Sequence, residues 1–170
     1  MDLIDEKDGG SFGAFFGHPI GFEPSRLMIE RILKEFSLDY NHFREILMSI
    51  PVHPSKYLTQ IKPYLKQNFL DRGWLYEPTY LESSGYKADF GRKMGDRYIY
   101  IEVELSDVRR AVNAMFMSRI FRAGYLRLGI YIAPESNRPE KGKNFYSMMK
   151  TRYAYISPEY PLWLIGFSYP

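Results

Sequence analysis

The chain has no cysteine, which excludes disulfides and every metal site built on thiolates. Histidine is nearly as scarce. His18, His42 and His53 stand at separations that fit no zinc-binding pattern, which argues against histidine or zinc chemistry. No run approaches eighteen uninterrupted apolar residues, so no segment reads as a membrane-spanning helix. The acidic opening Met1-Asp2-Leu3-Ile4-Asp5-Glu6-Lys7-Asp8 lacks the basic and then apolar order of a secretory signal. A cytoplasmic protein with no membrane partner is the expectation. Internal repeats and low-complexity tracts are also missing. The glycine-rich stretch at 9–17 matches neither a dinucleotide-binding fingerprint nor a phosphate-binding loop, and reads as a mobile segment.

What is present suits one folded domain. Its 170 residues, 45% of them hydrophobic, are enough for a single real core and too apolar for a disordered chain. The net charge of +3 is only mildly basic, as expected if a cluster of acids offsets a basic groove. Residues 1–70 read as a mainly helical N-terminal part: 24–36, 41–48 and 55–69 each carry apolar side chains at helical spacing, the usual mark of core-facing helices.

The most informative segment is 97–105, Arg-Tyr-Ile-Tyr-Ile-Glu-Val-Glu-Leu. Its alternation predicts a β-strand with Ile99, Ile101, Val103 and Leu105 on one face and Tyr98, Tyr100, Glu102 and Glu104 on the other. Two carboxylates thus share one side of a strand. A third, Asp89, lies at the end of an earlier strand-like run, Tyr86-Lys87-Ala88-Asp89-Phe90. Between them, Gly91-Arg92-Lys93-Met94-Gly95-Asp96 offers permissive residues for a reversal. A hairpin about this loop sets Asp89 across from Tyr100 and Glu102 across from Lys87, with neighbours on one face roughly 5–8 Å apart. Three carboxylates converging in this way form a hard, oxygen-only site of the kind Mg²⁺ prefers. Like charges so close need compensation, which Lys87 supplies in part and a divalent cation supplies better. The same alternation is also the ordinary pattern of a half-exposed antiparallel strand, in which the acids are simply solvated.

After this strand, Ser106 or Asp107 is a candidate N-cap and Gly124 a stop for a helix over 108–123. A second strand, Leu126-Arg127-Leu128-Gly129-Ile130-Tyr131-Ile132-Ala133, ends at Pro134. Strand, helix and strand at this spacing predict a crossover that returns to the same sheet. The helix is apolar around nearly its whole circumference, which predicts burial on more than one face, one of them against a second subunit.

The order of acidic strand end, E-x-E strand, long helix and L-G-I-Y-I strand closing in Pro resembles the PD-(D/E)XK nuclease superfamily, nearest to type II restriction endonucleases of the BamHI/BglII-like group. The likeness covers residues 70–135. Ala88 stands where the family usually has Pro, and Glu104 where it usually has Lys; members of the BamHI-like branch also carry a carboxylate there. The resemblance implies an α/β fold with a mixed central β-sheet flanked by helices, and a division into 1–70, a catalytic core at 71–135, and a DNA-contacting loop with C-terminal elements at 136–170. It implies Mg²⁺, with Mn²⁺ as substitute, held by Asp89, Glu102 and the Val103 carbonyl. Glu104 would act as base, water-orienting group or ligand of a second ion, with Lys87 assisting as a cation beside the phosphate. Glu77 and Glu82 are weaker candidates for a further acidic ligand.

The implied reaction is site-specific hydrolysis of double-stranded DNA to leave 5′-phosphate ends. The implied partners are duplex DNA, a second copy of the chain in a two-fold homodimer, and a cognate DNA methyltransferase of the same restriction–modification system. For the DNA contacts, Asn137, Arg138, Lys141, Lys143, Lys150 and Arg152 interleave with Phe145, Tyr146, Tyr153 and Tyr155, and basic with aromatic side chains suits phosphate and groove contacts. Two other readings stay open: a nuclease of the same fold acting in DNA repair or junction processing, and a DNA-binding protein without catalysis.

Overall fold

The structure is a computed structural model that describes residues 2–3, 14–15, 26–49, 57–80, 85–103, 110–134 and 160–168. Its elements are β1 (Asp2–Leu3), β2 (Ala14–Phe15), α1 (Arg26–Glu35), α2 (Tyr40–Met48), α3 (Tyr57–Leu70), β3 (Leu75–Tyr76), β4 (Phe90–Met94), β5 (Arg97–Val103), α4 (Arg110–Arg122), β6 (Leu126–Pro134) and β7 (Leu162–Ser168). One mixed sheet runs in the order β1-β7-β6-β5-β4-β3, with β2 also pairing with β7. Strands β3, β4 and β5 form an antiparallel meander. The chain then crosses through α4 to β6, which lies parallel to β5, and β7 lies parallel to β6. The fold class is therefore α/β with helices on both faces of a mixed sheet.

Each face carries its own core. Leu33, Phe43, Leu47, Leu65 and Phe69 of α1–α3, with Phe36 in the turn after α1, pack on Ile99, Ile101, Val103, Leu128, Ile130 and Ile132. On the opposite face, Phe116, Met117 and Ile120 of α4 meet Tyr80, Tyr100, Tyr131 and Tyr160. This follows from the period of two: one set of β5 side chains goes to each layer. The tyrosines at 98 and 100 therefore do not mark a solvated face. Tyr100 is fully buried, and β5 is buried on both sides from Ile99 onward. Gly129 on β6 sits where α4 comes closest, since a Cβ there would lie 2.8 Å from Met117 Sδ and 2.9 Å from the Tyr160 ring.

Local signals explain the element ends. Asp39 caps α2 by accepting the His42 amide at 2.7 Å. Helix α3 closes with the Trp74 amide on the Phe69 carbonyl and the Gly73 amide on the Leu70 carbonyl, Gly73 having a φ of +75°. Arg92 of β4 then donates to the Arg72 and Gly73 carbonyls at 2.8 and 2.6 Å, fastening the meander to the end of α3. In the interior of the sheet, Arg127 of β6 grips Glu35 of α1 through both carboxylate oxygens at 2.9–3.2 Å.

The hairpin differs from the sequence expectation. The run Gly91-Arg92-Lys93-Met94 is strand, and only Gly95 and Asp96 turn. Gly95 has a φ of +61°, the positive value that the two-residue hairpin turns need at their first central residue. A two-residue turn moves the register by two from the expected pairing: Tyr100 faces Gly91, and Phe90 faces Ile101. The expected strand at 86–90 begins only at Phe90, and Lys87 makes a bridge to Thr79 instead of facing Glu102. Helix α4 occupies residues 110–122 of the expected 108–123. Its side chains described from Phe116 onward bury one face, while Arg119 and Arg122 are exposed.

Candidate active site

Asp89 sits one residue before β4, and continuing the register by one step brings it beside Glu102 near the C-terminal end of β5. The shorter turn thus draws these two acids closer than the sequence reading placed them. Asp89 is held at three points. Its main-chain carbonyl accepts the Glu77 amide at 3.0 Å, turning that side of the backbone toward the β3 segment. Its Oδ2 accepts the Val103 amide at 2.7 Å, standing in for the ladder carbonyl that β4 no longer supplies at this level. Its Oδ1 accepts from Lys62 Nζ of α3 at 2.6 Å. A carboxylate fixed through both oxygens has little rotational freedom left.

Glu102 is the buried charged residue among those described, only 5% exposed. Burying a carboxylate costs several kcal/mol unless donors replace water. Tyr80 supplies such a donor: its hydroxyl hydrogen-bonds to Glu102 Oε1. The Tyr80 ring is held by Tyr100 at a centroid distance of 4.9 Å and by Phe116 of α4 at 5.7 Å, so packing aims the hydroxyl. Burial first, and then the negative charge of Glu102, push the Tyr80 phenol well above its ordinary range; Asp89 adds to the effect, so both carboxylates act on this one hydroxyl. In the sheet, Glu102 pairs with Tyr131 of β6, another buried tyrosine. A buried acid in such surroundings is a candidate functional group.

The other predicted positions divide. Val103 ends β5 with its amide on Asp89. Lys87 does not compensate Asp89. It is half-exposed and lies 3.9 Å from Glu77, with which it forms a surface ion pair. The compensating cation is Lys62, one-sixth of the chain away in a helix read from sequence only as core, and no local pattern distinguishes it from other helical lysines. Tyr80 was missed for a similar reason, since its role depends on the layer into which its ring packs. Glu77 has a left-handed backbone, φ +47°, and is exposed. Glu82, Glu104, Asn137, Arg138, Lys141, Lys143, Lys150 and Arg152 lie outside the described residues.

Among the described residues, no group of three or more His, Asp or Glu side chains is placed to hold a metal ion. The described donors are the two carboxylates of Asp89 and Glu102 and the main chain at Val103. As chemistry the set fits a hard divalent cation: it consists of oxygens, and Asp89 Oδ1 already binds a cation, the Lys62 ammonium. One turn along α3 from Lys62, Lys66 lies over the Tyr76 ring, 3.9 Å from its centroid, so α3 presents two cations one turn apart.

The chain matches no protein-family model. No curated protein matches it either.

Proposed function

We propose that the protein is a Mg²⁺-dependent, sequence-specific endonuclease of double-stranded DNA, with a restriction-endonuclease-like core. The observation that supports this reading best is the placement of Asp89, one residue before β4, a single register step from a buried Glu102, one residue before the end of β5, in a β3-β4-β5-α4-β6 arrangement. Two acids at adjacent strand ends, one of them kept out of water, fit a cation site better than a solvated face does.

Asp89, Glu102 and the Val103 carbonyl would hold Mg²⁺, with Mn²⁺ as substitute; when bound, the ion supplies positive charge for the scissile phosphate and acidifies a water. The chain's own residues prepare that site. Lys62 and the Val103 amide fix the Asp89 carboxylate, and Tyr80 orients Glu102. Glu104 follows Val103 in sequence and is the candidate to orient water or accept its proton. In the net reaction, water adds to phosphorus, the bond from phosphorus to the 3′ oxygen breaks, and the products carry a 5′-phosphate and a 3′-hydroxyl. Palindromic DNA would be met by a two-fold homodimer, and a cognate methyltransferase would protect the host's own sites. The basic and aromatic segment 138–155 is the proposed DNA-contacting region.

The test is digestion of unmodified phage DNA with Mg²⁺, with EDTA, and with Asp89→Ala and Glu102→Ala variants. Discrete bands that disappear in all three controls are expected. No cleavage by the wild-type chain under any divalent ion would reject the reading, and a smear would move it to a non-specific nuclease. Light scattering should give the mass of a dimer; a monomer mass independent of concentration would reject the two-fold assembly.

A further inference from the structure

The Lys62 ammonium lies where a cation belongs. Its Nζ is 2.6 Å from Asp89 Oδ1, while Asp89 Oδ2 is separately engaged by the Val103 amide at 2.7 Å. The two oxygens thus have different attachments, one rigid and one removable. The Val103 amide belongs to the sheet backbone and cannot leave without breaking β5 from its neighbour. The ammonium sits on a four-carbon stem, and its side chain is 41% exposed against 18% for Asp89. It can therefore swing into solvent without any movement of α3. Lys87 is engaged by Glu77 and does not share this role.

We propose that Lys62 is an internal counter-ion that occupies the divalent-ion position at Asp89 Oδ1, and that metal binding requires its displacement. This rests on the nuclease reading above and adds a regulation to that site. Before metal arrives, Lys62 holds the Asp89 carboxylate in place and sets a positive charge beside it, offsetting the repulsion between two neighbouring acids. When a divalent cation takes Oδ1, the ammonium is released within a side chain's length of the site. There it meets the negative charge of a phosphate, a partner that the enzyme lacks until DNA is bound. Metal affinity is thereby held down in the free protein, and displacement of Lys62 becomes favourable once a phosphate can receive it. Lys62 is a positioning residue for Asp89 and a competitor of the metal.

The experiment is titration of Mn²⁺ alone into wild type, Lys62→Met and Asp89→Asn, followed by the paramagnetic signal of free Mn²⁺, with cleavage rates measured on the same preparations. Removing the competitor should tighten Mn²⁺ binding by up to about five-fold, the upper end for loss of a partly exposed ion pair, while the cleavage rate at saturating Mn²⁺ falls. Asp89→Asn should abolish the binding. A merely structural lysine would not tighten metal binding while slowing cleavage. Lys62→Gln repeats the comparison should the Met variant not fold. Unchanged or weaker Mn²⁺ binding in the Lys62 variants, with a wild type that binds Mn²⁺ and cleaves, overturns this inference and leaves the nuclease reading standing. A wild type that neither binds Mn²⁺ nor cleaves overturns both.

Discussion

The Asp89 carboxylate accepts the amide of Val103 at 2.7 Å, so that a side chain completes the β4–β5 ladder where the β4 backbone has turned away. Structural and chemical roles therefore meet in one residue, and its substitutions can separate them. Asp89→Asn keeps an oxygen for the Val103 amide but loses the charge that binds Lys62 or a metal. Asp89→Ala loses both. The alanine variant should be less stable by about 1–3 kcal/mol, the cost of leaving a partly buried amide without its acceptor, and the asparagine variant by clearly less. Urea denaturation measures the difference, and both variants should fail to cleave DNA.

Tyr80 and Glu102 should behave as a coupled pair. Tyr80→Phe leaves a buried carboxylate short of a donor, and a hydrogen bond to a charged group is worth about 1.5–3 kcal/mol. Glu102→Gln retains an acceptor at the same place and should cost less. The double variant should be more stable than the sum of the two losses implies, because the second substitution removes the charge stranded by the first. A double-mutant cycle in urea, read at neutral pH, checks this; strict additivity would show that the two groups do not interact.

Alkaline pH offers an independent check on Tyr80. Its phenol is held well above the ordinary range by burial and by Glu102, so in the folded state it stays protonated where an unfolded tyrosine has ionised. The stability it contributes is fully present below the unfolded value of about 10. It is lost as pH rises from there through the raised folded value, at up to about 1.4 kcal/mol per pH unit for one proton. Denaturation between pH 9 and 11 should show this slope in wild type and a shallower one in Tyr80→Phe. Equal slopes would place Tyr80 in an unperturbed setting.

Gly95 sets the register that brings Asp89 to Glu102. With its φ at +61° and open space around the missing Cβ, Gly95→Ala meets no neighbour and only backbone strain, about 1–2 kcal/mol. Gly95→Asn, whose side chain tolerates the left-handed region, should cost less than alanine. Thermal melts give the ranking, and similar losses for the two variants would argue against a left-handed turn residue.

Much of the framework was legible from periodicity. Alternation at 97–103 identified β5, and apolar spacing identified α1–α3. The stop at Gly124 marked the end of α4, while the candidate caps Ser106 and Asp107 lie outside the described residues, and the strand–helix–strand spacing gave the parallel crossover to β6. These signals are local: the side-chain repeat of a helix or strand is written directly into the residue order. The sequence likewise singled out Asp89 and Glu102, because carboxylates on a strand that otherwise alternates apolar and aromatic residues stand out against its pattern.

What residue order alone left undecided depends on distance through space. Whether Gly91-Arg92-Lys93-Met94 turns or pairs is settled by cross-strand partners, since Arg92 also fastens the end of α3 and Gly91 fits beneath Pro78 and Tyr100. Whether Tyr100 and Glu102 meet water or a second core depends on α4 covering that face, which a strand cannot encode by itself. The identity of the cation at Asp89 is the clearest case. Lys87, two residues away, turns to Glu77, while Lys62 arrives from α3 because helix packing on the opposite core carries it there. The sequence by itself determined which segments are helix and strand and which acids to suspect. Only the tertiary structure decided their register, their burial and their counter-charges, because those follow from contacts between segments whose separation along the chain carries no local pattern.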